Sequence, residues 1–205
     1  AILYEMRLGK SKQAIDNACY LYHAGRIDSV VIIVRKSILE TWVEDEIPKH
    51  IWSLGNTKVY KWEKLNTKKE KTWLQHVHEL KDTLKIYCIN IEAFSTVSQS
   101  GKAKVSQVLD GIDPRRAMVV IDEATDIKTP DSNRTKWITK CFERYKYKRI
   151  LTGTPLAERP EDAYSLYKFL DKNFWDFGSF WAFKNYFCIY KDLRMGNRLF
   201  KKIVS

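Results

Sequence analysis

The segment Ser29–Val34 reads SVVIIV, five consecutive β-branched aliphatic residues behind one serine. A strand of that kind has no polar face to show to water, so it belongs in a parallel sheet covered by helices on both sides. Further strand-like runs lie at residues 2–4, 57–62, 84–91, 117–122 and 148–151. Amphipathic patterns alternate with them at Lys10–His23 and at residues 68–81, 102–109 and 134–145. In the first of these, Ala14, Ile15, Ala18 and Leu21 recur at helical spacing. Ser37, with Glu40 three residues on, reads as the capping box of another helix, which Pro48 is expected to end. Beyond Thr152 the pattern turns helical and aromatic at residues 160–170 and 179–187, and residues 189–204 read as a hairpin turning at Gly196-Asn197. The expected architecture is therefore α/β, a mostly parallel central sheet with helices on both faces and an extra helical segment at the C-terminal end. A length of 205 residues suits one substantial core rather than two full domains.

In such sheets ligands bind at the carboxyl ends of the strands, so chemical motifs are sought just after strands. Three candidates satisfy that test. Glu5-Met6-Arg7-Leu8-Gly9-Lys10-Ser11 follows the first strand and opens the first helix. A phosphate chain needs backbone N–H donors, a helix N-terminus and a mobile ammonium, with a hydroxyl beside the lysine to hold magnesium. Gly9, Lys10 and Ser11 supply them, although Tyr4 stands where the full phosphate-loop pattern has a second glycine. Met118-Val119-Val120-Ile121-Asp122-Glu123 is an apolar strand ending in two adjacent carboxylates, suited to a magnesium shell and an attacking water. Arg149-Ile150-Leu151-Thr152-Gly153-Thr154-Pro155 again runs from a strand into small hydroxyl residues. Each motif alone is open to a plain reading, as a helix start or an acidic turn. All three together, in this order, point to an ATPase.

Lys and Arg number 36 against 25 Asp and Glu, a net charge of +11 that favours an anionic partner such as nucleic acid. The lysine-rich run at 58–71 reads more simply as a solvated helix face. Cys19, Cys88, Cys141 and Cys188 are far apart, without zinc-site spacing, and read as reduced cysteines of a cytoplasmic protein. No apolar run approaches the ~20 residues of a membrane span, so no membrane partner is expected. The strand-like start at Ala1 reads as an internal beginning.

The residues now assembled resemble superfamily 2 helicase-type ATPases, specifically the Swi/Snf type of double-stranded DNA translocase. EMRLGKSKQAI is similar to that family's motif I, VVIIVRKSILETW to motif Ia, and IYCINIEAFS to a strand with a nucleic-acid-facing turn. IDEATDIKTPDSNRTK resembles the extended motif II, and LTGTPLAERPEDAYSLYKFLD with FGSFWAFKNYFC resembles motif III and the helical segment after it. The resemblance covers nearly the whole chain, and the Glu-Met-Arg form of motif I is closer in style to short bacterial or phage-encoded members. Three positions depart from the family pattern: Arg7 replaces a loop glycine, Arg35 a proline, and Thr125 a histidine.

The resemblance implies a RecA-like P-loop NTPase lobe at residues 1–158, a helical extension at 159–205, and a second RecA-like lobe that lies outside this chain. It implies ATP and Mg²⁺ as cofactors. ATP would lie along Arg7, Leu8, Gly9, Lys10, Ser11 and Lys12, with Thr152 and Thr154 linking phosphate state to DNA. Ser11 and Asp122 would hold the metal, and Lys10, Asp122 and Glu123 would form the catalytic set. Double-stranded DNA is the implied partner, contacted through Lys36, Ser37, Glu92, Ser95, Lys128, Arg134 and Lys136. Two alternatives stay open: an RNA or single-strand helicase of the same superfamily, and a degenerate lobe kept for docking nucleic acid or protein. If phage-encoded, the protein belongs in a bacterial host's cytoplasm.

Overall fold

A computed structural model describes residues 1–5, 8–53, 55–62, 68–95, 105–154, 161–195 and 198–203, those from 190 onward by backbone alone. Six strands form one sheet: β1 (Ile2–Leu3), β2 (Ser29–Val34), β3 (Thr57–Lys61), β4 (Leu84–Asn90), β5 (Ala117–Ile121) and β6 (Tyr147–Thr152). Their spatial order is β1-β6-β5-β2-β4-β3, and every pairing is parallel. All six expected strands are present, and the sheet is wholly rather than mostly parallel. The helices are α1 (Lys10–His23), α2 (Leu39–Thr41), α3 (Ile47–His50), α4 (Lys68–Glu79), α5 (Ser106–Leu109), α6 (Asn133–Cys141), α7 (Asp162–Leu170) and α8 (Phe180–Phe187). A separate antiparallel hairpin pairs β7 (Tyr190–Met195) with β8 (Arg198–Ile203), as expected, while the turn residues Gly196 and Asn197 lie outside the described residues.

Strand alternation divides the interior into two layers. Val31, Ile33, Tyr87, Ile89, Val119 and Ile121 face one side, with Leu74, Val108, Ile138 and Leu166 of α4 to α7. Val30, Ile32, Val34, Ile86, Cys88, Met118 and Val120 face the other, against Ala14, Ile15 and Ala18 of α1. Every side chain of Ser29–Val34 is buried. Each aliphatic side chain so buried stabilises the fold by about 1.5–3 kcal/mol before entropy is counted.

The stretch after β2 departs from expectation. Ser37 lies inside a single 3₁₀ turn, Lys36–Ile38, and caps nothing; Glu40 reaches Lys61 instead (2.9 Å). Pro48 does not end the helix but sits in the first turn of α3, which continues to His50. A π turn, Trp42–Glu46, lies just ahead of it. Widening the helix there lets the chain pass a residue that cannot donate an N–H.

The segment after β6 is held by aromatic packing. Trp175 stacks edge-on against Phe183 (4.8 Å between centroids) and donates its indole N–H to the Tyr164 carbonyl (3.1 Å). This ties α8 to α7 through geometry that aromatic pairs favour. All four cysteines are free thiols. No described helix is long and apolar enough to cross a membrane.

Candidate functional site

β1, β6 and β5 are consecutive in the sheet, and their carboxyl ends form one rim. Thr152, the last residue of β6, pairs with Leu3, and Ile121, the last residue of β5, pairs with Ile150, so Thr152 and the next residue after β5, Asp122, both stand at that edge. The chain leaving β1 returns through Gly9 into α1 beside them.

Gly9 adopts φ 75°, ψ 28°, a left-handed conformation that favours glycine, and its carbonyl accepts from the Gln13 amide (3.0 Å). Gly9, at the N-cap, has no side chain with which to cap α1, and no acidic residue stands in its first turn. The first amides of this 14-residue helix, and the positive end of its dipole, are thus left for an anion. Lys10 is buried, its Nζ donating to the carbonyls of Tyr4 (3.1 Å) and Glu5 (2.9 Å). An ammonium folded onto its own loop is one that a phosphate can draw away. Ser11 is half-buried beside it, and Leu8 is exposed. Lys12 is engaged with Asp16 one turn along the helix and is not brought to the rim. Arg7 lies outside the described residues.

Asp122 is fixed by three hydrogen bonds. Its amide donates to the Ile33 carbonyl (2.9 Å), Oδ1 accepts from the Glu123 amide (2.9 Å), and Oδ2 accepts from the Trp42 indole (2.9 Å). Burial pushes its carboxyl above the ordinary value of 3.8, opposed by the two N–H donors and the nearby Lys10 ammonium, while Glu46 adds to the rise. Among the described residues no cation pairs with it directly. A half-buried carboxylate held by neutral donors alone, facing a lysine field, fits the role of a metal-shell ligand, and Ser11 adds a hydroxyl. No group of three or more His, Cys, Asp or Glu side chains suited to a metal occurs among the described residues. A divalent ion here would depend on phosphate oxygens and water for most of its shell.

Glu123 is left-handed at φ 48°, ψ 58°, strained for a residue with a β-carbon. It opens the 3₁₀ turn Ala124–Ile127, whose Asp126 takes a two-pronged contact from Arg35: Nε to Oδ2 at 2.7 Å and a terminal guanidinium nitrogen to Oδ1 at 2.9 Å. Thr152 is wholly buried, its hydroxyl accepting from the exposed Thr154's amide (3.1 Å). The sequence by itself assigns no role to Trp42, Arg35 or Asp126. Trp42 carried a signal as the tryptophan of the motif Ia-like segment, but its partner lies 80 residues away.

The nucleic-acid candidates fall into two groups. Lys36, Ser37 and Glu92 follow the adjacent strands β2 and β4, with the Lys36 amide donating to Glu92 (3.5 Å). Arg134 at the start of α6 donates to the Ser95 hydroxyl (3.1 Å), joining the same edge. Lys128 instead pairs with Asp162 of α7 (3.5 Å), and Lys136 with Asp131 (3.6 Å).

A family profile described as the SNF2-related domain matches residues 2–201. The Aspergillus fumigatus DNA repair protein rad5 is 42% identical over 64 residues, 31% of this chain and 5% of that protein. DNA repair protein RAD5 of Candida albicans is 35% identical over 63 residues, 31% of this chain and 6% of that protein. The match therefore spans a small fraction of these curated relatives. Among solved structures, the Sulfolobus solfataricus SWI2/SNF2 ATPase core in complex with dsDNA superposes with a TM-score of 0.60 at 23% identity, over 90% of this chain and 33% of that one. That likeness bears on the RecA-like fold.

Proposed function

The chain belongs to the SNF2-related domain family, and on that premise we propose that it is the ATP-binding lobe of a double-stranded DNA translocase. The observation that carries this reading is the adjacency of β1, β6 and β5, which gathers Lys10, Asp122, Glu123 and Thr152 at one rim. The uncapped start of α1 and the Lys10 ammonium bind the ATP phosphates. Ser11 and Asp122 hold Mg²⁺, which neutralises phosphate charge when bound. Glu123, projecting from a backbone held in a strained form, orients the attacking water, and Thr152 with Thr154 senses the phosphate. DNA lies along the Lys36, Ser37, Glu92, Ser95 and Arg134 edge, contacted mainly through its phosphates because a motor must step over any sequence.

In this reading a second lobe closes over the nucleotide and supplies an arginine, an effect worth ~10³–10⁵ in rate in related phosphoryl transfer. This chain by itself is then expected to bind ATP weakly and to turn it over poorly. Titration with a fluorescent ATP analogue and Mg²⁺ is the test. Lys10→Ala is expected to weaken binding by about tenfold or more, whereas Glu123→Gln retains it. Equal affinity in the Lys10→Ala protein sinks the nucleotide assignment, and brisk DNA-stimulated turnover by this chain sinks the requirement for a second lobe.

A further inference from the structure

Between α6 and α7 runs a groove of about 610 Å³ lined by Lys136, Lys140, Lys168, Lys172, Glu143 and Ser165 among others. Its volume is in the range that takes a compact ligand or a short peptide. All four lysines are exposed. Lys140 lies over the Trp137 ring (5.4 Å to its centroid) and Lys168 over Tyr164 (5.3 Å), and neither meets a carboxylate among the described residues. Their aliphatic stems are thus ordered by aromatic faces while the ammonium charge stays uncompensated. At the groove wall Ser165 is buried, only 3% exposed, and its hydroxyl has no hydrogen-bond partner among the described residues.

We propose that this groove is a docking site for an acidic polypeptide segment, a function independent of the nucleotide reading. Two observations favour carboxylates over a nucleic-acid backbone. The groove already holds one: Glu143 Oε1 meets Lys172 at 3.3 Å, and a further carboxylate, Asp131, meets Lys136 at 3.6 Å, so two of the four cations are already taken by carboxylates. Position on α6 is the other. Lys136 stands two residues beyond Arg134, which turns toward Ser95. Two residues correspond to roughly 200° around a helix, so the groove opens on the side opposite the edge assigned to DNA. A rigid duplex lying on that edge does not reach behind the helix, whereas an extended acidic peptide enters the groove directly. Its side-chain carboxylates displace Glu143 from Lys172 and engage Lys140 and Lys168.

Fluorescence anisotropy of a labelled peptide of alternating aspartate and serine, titrated with this chain, tests the assignment. Binding is expected at low ionic strength, weakening by about tenfold in Lys140→Glu/Lys168→Glu. Glu143→Gln, which frees Lys172, is expected to tighten it about threefold, a gain that mere damage to the fold cannot give. Lys140→Gln/Lys168→Gln, with circular dichroism as a check, replaces the charge reversal if that protein fails to fold. Arg134→Glu, on the far side of α6, leaves peptide affinity unchanged. Unaltered affinity in the lysine variants, equal loss in Arg134→Glu, or no binding at all overturns the proposal. So does a DNA duplex that competes for the groove and itself loses affinity in the lysine variants, which gives the site to nucleic acid.

Discussion

Arg35, at the end of β2, grips Asp126 through both carboxylate oxygens (2.7 and 2.9 Å), bridging 91 residues of sequence to brace the turn that begins at Glu123. A fork of this kind is directional as well as charged. With the Arg35 side chain 47% exposed, solvent screening limits its value to ~1 kcal/mol. Arg35→Ala and Asp126→Ala are each expected to lower the melting midpoint by ~2–4 °C. In a double-mutant cycle the combined variant should melt no lower than either single one, because one contact is lost in all three. Additive losses would show that the two side chains stabilise the fold separately.

Glu123 carries the second testable relationship, between a backbone conformation and a side chain. At φ 48° a β-carbon is strained, by roughly 1 kcal/mol, and a β-branched residue suffers more. The expected order of thermal stability is Glu123→Gly above the parent and Glu123→Val below it, the extremes differing by about 2 kcal/mol. A midpoint for the valine variant at or above that of the glycine variant would contradict the strain assigned here.

Much of this architecture is legible in the sequence because burial on both faces leaves a plain signature. The runs at Ser29–Val34, Leu84–Asn90 and Ala117–Ile121 have few polar interruptions, and each became an inner strand of the parallel sheet. The rim was legible too, since a parallel sheet sends every motif that follows a strand to the same edge. Local rules failed at Ser37 and Pro48, where a π turn absorbed the proline and the serine fell inside a 3₁₀ turn. Those are choices made by packing around Trp42, whose indole is drawn to Asp122. Partners such as Trp42 with Asp122, or Arg35 with Asp126, arise only when distant strands are brought together. No spacing within either segment encodes them.

Asp122 ties the site to stability through pH. Burial, foremost, raises its carboxyl above 3.8, so the folded chain binds that proton more tightly than the unfolded one. Stability from this group is therefore greatest below 3.8 and is lost as pH rises from there through the raised folded value; at neutral pH the ionised carboxylate is a net cost. Asp122→Asn removes the titration and keeps an oxygen for the Trp42 indole, while losing the acceptor for the Glu123 amide at every pH. The difference in melting midpoint between variant and parent is expected to move in the variant's favour between about pH 4 and pH 7. A difference that is flat across that range would mean the carboxyl is not raised.

The last prediction separates the nucleic-acid candidates from one another. Arg134 donates to Ser95 at the edge that also carries Lys36 and Glu92, whereas Lys136 lies in the wall of the α6–α7 groove and pairs with Asp131. If duplex DNA follows the first edge, Arg134→Ala weakens its binding uniformly across sequences. It also reduces the slope of log affinity against log salt by about 0.9, the share of one phosphate contact. Lys136→Ala should leave both the affinity and the slope near those of the parent, since its ammonium is turned to the other side of the helix. Titrations of a labelled duplex at several salt concentrations give both quantities in one experiment. Should Lys136→Ala change the slope as much as Arg134→Ala does, the DNA path must cross the groove, and the face of α6 assigned to the acidic segment would have to be shared with it.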